Sequence, residues 1–94
     1  MIADPIEHFL VWCARDRGRS VRTIARYRIT LTTAEDACGN LITADIADLE
    51  EWWESRYGHA PATRANELAC LRSFYKWATR FDHRPDDPTR RLDY

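Results

Sequence analysis

The residues of this chain best suited to chemistry at a surface are its guanidinium groups and the short polar side chains set among them. Arg22, Thr23 and Arg26 form one group, and Arg22 and Arg26 are four apart, the spacing that places two side chains on one side of a helix. Thr63, Arg64 and Asn66 form another, followed by Arg72 and Lys76, again four apart. Arginine can fork onto guanine O6 and N7 or onto a phosphate; asparagine can pair with an adenine edge; threonine can meet a thymine methyl or a phosphate oxygen. Arg19, just before a helix-capping serine, is placed to clamp a phosphate. Covalent or metal chemistry has less to work with. Cys13, Cys38 and Cys70 make no CxxC pair, and His8, His59 and His83 give no ligand pair at metal spacing, so neither a metal nor another cofactor is expected. Asp86-Asp87 and the acids of residues 45–54 read as turn and solvent-face positions, not as a cation site or an acid/base pair. Tyr94 has none of the arginines beside it that a nucleophilic tyrosine attacking phosphate requires.

The elements that must carry these groups are helical. Asp4-Pro5 is a helix start, with Glu7 at capping-box spacing, and Ile6, Phe9, Leu10 and Cys13 follow the helical period up to Gly18. This predicts a first helix over 5–16. Ser20 caps a second over 21–37, with Val21, Ile24, Tyr27, Leu31 and Ala34 as its apolar stripe and Arg22 and Arg26 on another side. Thr43 is the expected cap of a third helix over 44–56, with Ile46, Leu49, Trp52 and Trp53 turned inward. Pro61 opens a fourth over 61–80, in which Leu68, Leu71, Phe74, Tyr75, Ala78 and Phe81 supply the buried side and Ala60 is a poor cap. Residues 82–94, with Pro85 and Pro88 and no helical period, read as a linker. The aromatic residues Phe9, Tyr27, Trp53, Phe74 and Tyr75 fall at or near core stripes and read as packing, not as a base-stacking platform.

The chain has 94 residues, 45% of them hydrophobic, enough for one small domain, and no apolar run approaches a membrane span. The N-terminal residues lack a basic start and an apolar signal stretch, and the cysteines are odd in number, so a cytoplasmic location is expected. The formal net charge of −1 hides a strong alternation. Residues 15–33 carry +5, residues 34–54 carry −7 and residues 55–80 carry +4. Both basic segments can therefore share one face while the acidic third helix stands apart.

Two blocks, Ser20-Val-Arg-Thr-Ile-Ala-Arg-Tyr-Arg28 with Leu41-Ile-Thr-Ala-Asp-Ile46, and Thr63-Arg-Ala-Asn-Glu-Leu-Ala-Cys-Leu-Arg-Ser-Phe-Tyr-Lys-Trp77, resemble the N-terminal core-binding (SAM-like) domain of phage integrases and other tyrosine recombinases. Asp87-Pro88-Thr89 is similar to the Asn-Pro-Thr that follows that domain. The order and spacing of the pieces carry the resemblance, which covers nearly the whole chain. It implies an all-α four-helix SAM-like bundle over 1–81 and a linker over 82–94 leading to a catalytic domain that 94 residues have no room for. The chain is then expected to be a non-enzymatic fragment of a recombinase that cleaves through a phosphotyrosine link.

The resemblance further implies that the second and fourth helices cross in the major groove of double-stranded DNA. Arg19, Arg22, Thr23, Arg26, Thr63, Arg64, Asn66, Arg72 and Lys76 are the expected contacts. Other implied partners are the catalytic domain and further protomers in a synaptic tetramer, with Glu7 and Trp12 of the first helix presented to a neighbour. The family commonly has basic residues immediately before the leucine of the last helix, where this chain has Asn66 and Glu67.

A helical adaptor that docks a basic protein through the acidic segment 35–54 is the competing reading. A helix-turn-helix repressor fits less well, because the two basic helices are separated by a third instead of by a tight turn.

Overall fold

The computed structural model describes residues 4–92 and has four α-helices, α1 (Pro5–Arg15), α2 (Val21–Cys38), α3 (Ile46–Ser55) and α4 (Pro61–Arg80), followed by a short 3-10 helix, Pro88–Arg91. Tyr94 and the residues before Asp4 lie outside the described residues. Helix starts follow local chemistry. The Asp4 carboxylate accepts from the Glu7 amide at 3.2 Å, and Ser20 Oγ accepts from the Thr23 amide at 3.2 Å. Gly18, at φ 63°, lets the chain leave α1, and the Arg19 amide reaches back to the Cys13 carbonyl at 3.0 Å. α4 begins at Ala60 with no side-chain cap, as its sequence predicts.

α2 is the hub, packing against α1, α3 and α4, yet only Leu31 and Ala34 on it are fully buried. Ile24, Tyr27 and Cys38 pack against the core only in part. The core is instead filled by longer side chains from its neighbours: Phe9 stands edge-on to Phe74 at 5.4 Å and tilted to Trp77 at 5.7 Å, so α1 and α4 meet through rings. Leu49, Trp52 and Trp53 bring in α3. The Glu7 carboxylate is engaged by Arg28 of α2, at 2.9 and 2.7 Å, so it ties α1 to α2 instead of standing free for a neighbour. That bidentate pair holds the Glu7 carboxyl below its ordinary range.

Three expectations about the elements need correcting. α3 starts at Asp45, not Thr43, because Asn40 and Thr43 close a turn: Thr43 donates its amide and hydroxyl to the Asn40 carbonyl, and Asn40 Oδ1 accepts from Ile42. Val21, the first residue of α2, is 88% exposed, and Phe81, just past the end of α4, is 44% exposed. The stretch after α4 is also not a free linker where it is described. Asp87 caps the 3-10 helix by accepting from both the amide and the hydroxyl of Thr89, and Pro88, Thr89 and Leu92 are buried against α3 and α4. Arg84 pins the stretch from inside: its Nη1 donates to the carbonyls of Leu41, Ile42 and Ala44, and Nε to Asp86. None of these contacts has a period, so hydrophobic patterning does not reveal them.

Candidate nucleic-acid interface

Arg19, two positions before α2, and the early turns of α2 and α4 line one groove of about 610 Å³. Arg19, Thr23 and Arg26 come from the α2 side, Thr63 and Asn66 from α4, with Thr30 further along α2. The geometry follows from the caps. Ser20 fixes the first turn of α2 and also donates to the Thr23 hydroxyl at 3.1 Å, which leaves the Thr23 hydrogen aimed elsewhere. Arg26 then falls one turn below Thr23 on the same side. On α4, Thr63 and Asn66 are three apart and share a side for the same reason. The Asn66 amide makes no hydrogen bond among the described residues, so its donor and acceptor are both available for a base edge.

Four of the nine expected contacts lie off this groove. Arg64 is two residues from Asn66, and residues two apart on a helix point to different sides. Its guanidinium lies 4.7 Å from the Trp53 ring centre and 5.1 Å from that of Tyr57, and its buried Nε has no hydrogen-bond partner among the described residues. It serves the α3–α4 packing. Arg72 donates to the Leu92 carbonyl at 2.9 Å and so is drawn to the C-terminal segment instead of forming a ridge with Lys76. Arg22 is exposed on α2 beyond the rim. Lys76 lines a second concavity, which shares Arg19 and Tyr27 with the groove.

The groove also contains an ion pair that sequence reasoning did not select. Arg56, just past α3, binds Glu67 of α4 through Nε at 3.2 Å and Nη2 at 2.5 Å, and both line the groove. Glu67 is 6% exposed. An acid at this point would repel phosphate; the fork of Arg56 neutralises it and leaves Arg19 and Arg26 to set the sign of the groove. The only sequence signal for Arg56 was its place as the first basic residue after the acidic block.

Nucleophilic thiol chemistry has no footing here. Burial pushes the Cys13 thiol up to about 11, against the pull of Arg19 and Arg17, and raises Cys70 as well. Among the described residues no cluster of histidine, cysteine and carboxylate groups is arranged to hold a metal ion, and no helix is long and apolar enough to cross a membrane.

A helical bundle of this order, with a polar groove between its second and fourth helices, belongs to a defined class of domain. The chain is a member of the phage integrase N-terminal SAM-like domain family, whose model matches residues 6–81. It is 38% identical over 87 residues to the tyrosine recombinase XerC of Erythrobacter litoralis, a match that covers 93% of this chain and 28% of that protein. It is 33% identical over 97 residues to the tyrosine recombinase XerD of Xanthomonas axonopodis pv. citri, covering 97% of this chain and 32% of the relative. The XerD of Brucella suis is 31% identical over 94 residues, covering 94% and 30%. The chain thus spans about a third or less of the length of these relatives. No solved structure gives a significant match.

Proposed function

We propose that this domain binds duplex DNA in a sequence-directed way, with the early turns of α2 and α4 in the major groove, as the core-binding part of a site-specific tyrosine recombinase. The observation that carries the reading is the single groove shared by Arg19, Thr23, Arg26, Thr63 and Asn66. The major groove of B-DNA, about 12 Å wide, admits a helix and offers an acceptor pair on guanine and a donor and acceptor on adenine. Arg26 forks onto a guanine and Asn66 reads an adenine. Thr23 and Thr63 meet a methyl or a phosphate. Arg19, Arg22 and Lys76 neutralise phosphates.

In this reading the segment 82–94 leads to a catalytic domain of a longer protein, which closes around the same half-site. Cleavage through a phosphotyrosine bond, and strand exchange among protomers in a synaptic tetramer, belong to that whole protein, acting in the cytoplasm without metal. The domain alone contributes recognition.

The test is fluorescence anisotropy of the chain with labelled duplexes across a salt series. Three neutralised phosphates give a slope of log affinity on log salt near about −2.7. Absence of duplex binding at low salt removes the proposal and leaves the acidic adaptor reading in its place.

A further inference from the structure

The second concavity lies at the C-terminal end of α1, against the middle and last turns of α4, and holds about 480 Å³. Arg17, Arg19, Lys76 and Arg80 all line it. We infer that it is a phosphodiester seat, blind to base sequence, that carries the DNA backbone onward from the α2/α4 groove. The inference rests on the duplex-binding reading and adds Arg17 and Arg80 to it.

Four observations support the assignment. The first is charge without compensation. Among the described residues none of the four cations forms an ion pair, whereas Arg28, Arg56 and Arg84 each have a carboxylate partner. Asp16 lines a shallower recess beside Arg17 and Arg80, but it pairs with neither.

The second is preorganisation. The Arg17 guanidinium lies 5.6 Å from the centre of the Trp12 ring and that of Arg80 5.5 Å from the Phe81 ring, while Trp12 and Phe81 meet edge to face at 6.0 Å. Stacking fixes a guanidinium through its flat face and leaves the N–H groups on its rim unused. Two arginines are thus held by aromatic ledges with their donors free, the arrangement a phosphate oxygen needs.

The third is the character of the lining. Besides the four cations its lining residues carry the hydroxyls of Tyr27, Ser73 and Thr79, the indole N–H groups of Trp12 and Trp77 and the Cys13 thiol, and the Thr79 hydroxyl donates to the Lys76 carbonyl at 3.1 Å. No amide side chain lines it, so it lacks the paired donor and acceptor that read an adenine edge. Stacking of a base on Trp12 is opposed by Arg17, which already covers that ring.

The fourth is continuity. Arg19 and Tyr27 line both this concavity and the groove. A strand whose bases face Arg26 and Asn66 can therefore pass its next phosphates over Arg19 into the basic seat.

The test compares the native chain with Arg17→Gln/Arg80→Gln and with Arg26→Ala, each checked for native far-UV circular dichroism, by anisotropy on a cognate-like and an unrelated duplex over a salt series. With Arg17 and Arg80 also neutralising phosphates, the native slope is about −4.5 instead of the −2.7 expected from Arg19, Arg22 and Lys76 without them. The double variant should lose about 1.8 from that slope, equally on both duplexes, and Arg17→Lys/Arg80→Lys should keep most of it. Arg26→Ala should change discrimination between duplexes with little change in slope. A double variant whose slope equals the native one overturns the seat while the groove reading stands. A native chain that binds no duplex overturns both.

Discussion

Arg84→Met should cost the fold about 3 kcal/mol, although residue 84 lies outside every helix. Nη1 of Arg84 is 2.7 Å from the Ala44 carbonyl, 3.2 Å from Ile42 and 3.3 Å from Leu41. One nitrogen has two hydrogens, so the three contacts amount to about two charge-assisted bonds, each contributing ~1.5–3 kcal/mol. After truncation the Leu41 carbonyl keeps the Tyr75 hydroxyl at 2.7 Å, and the other two carbonyls recover some hydration at the surface turn, which favours the lower end of that range. The ion pair with Asp86 adds little, because the Asp86 side chain is 49% exposed and its charge is screened by solvent. Methionine retains an apolar stem near the Tyr75 ring, over which the guanidinium sits at 5.4 Å. Against a total of about 5 to 14 kcal/mol for a domain of this size, the loss is large and lowers the thermal midpoint by roughly 12 to 24 °C. Urea unfolding followed by tryptophan fluorescence and far-UV circular dichroism measures it, with Arg84→Lys expected to fall between and Asp86→Asn to leave the urea midpoint nearly unchanged. A loss below about 1 kcal/mol for Arg84→Met would refute the idea that this one guanidinium clasps the segment after α4.

Leu71→Ala should open a cavity in the core, where Leu71 is fully buried, and lower stability by about 2 to 5 kcal/mol in the same assay, with duplex binding lost only in step with folding. Arg26→Ala should weaken binding by about 1 to 3 kcal/mol on the preferred duplex and less on others, whereas Lys76→Ala should weaken all duplexes alike; anisotropy on a panel of sequences separates the two. Stability should fall in alkali. Burial raises the thiols of Cys13 and Cys70 and the Tyr75 phenol above their ordinary values, so the unfolded chain releases these protons first. The stabilisation is complete below about pH 8 and is lost as the pH climbs from ~9 through 11, read as a falling urea midpoint; a midpoint that holds at pH 10.5 contradicts it.

Helix limits were legible wherever capping is local. Asp4-Pro5, Ser20 and Pro61 act within one turn, and α1, α2 and α4 begin where those residues place them. Thr43 misled because Asn40 had already claimed it for a turn, a choice between two short-range bonds that spacing alone does not settle. The groove was half legible. Arg19, Thr23, Arg26, Thr63 and Asn66 come together because helical spacing predicts which residues share a side. Arg64 and Arg72 were not separable from them by charge, and what removes them is tertiary: an aromatic pair from the α3 region and a carbonyl at Leu92. Trp77, 4% exposed, escaped because α4 is packed against both α2 and the C-terminal segment and receives the Phe9 ring as well, so it buries a wider arc than one stripe. Arg56 and Arg84 act across long sequence separations, where pattern reading has no purchase.

The clasp after α4 changes the reach of whatever is joined to this domain. Were the stretch from Phe81 to Leu92 a loose tether of about 11 residues, its far end would wander by roughly 18 Å. Buried at Pro88, Thr89 and Leu92, it removes that slack, so any polypeptide beyond Leu92 departs from a fixed bracket on the side of α3 and α4. A module so attached searches a smaller volume and meets the bound partner at a higher effective concentration.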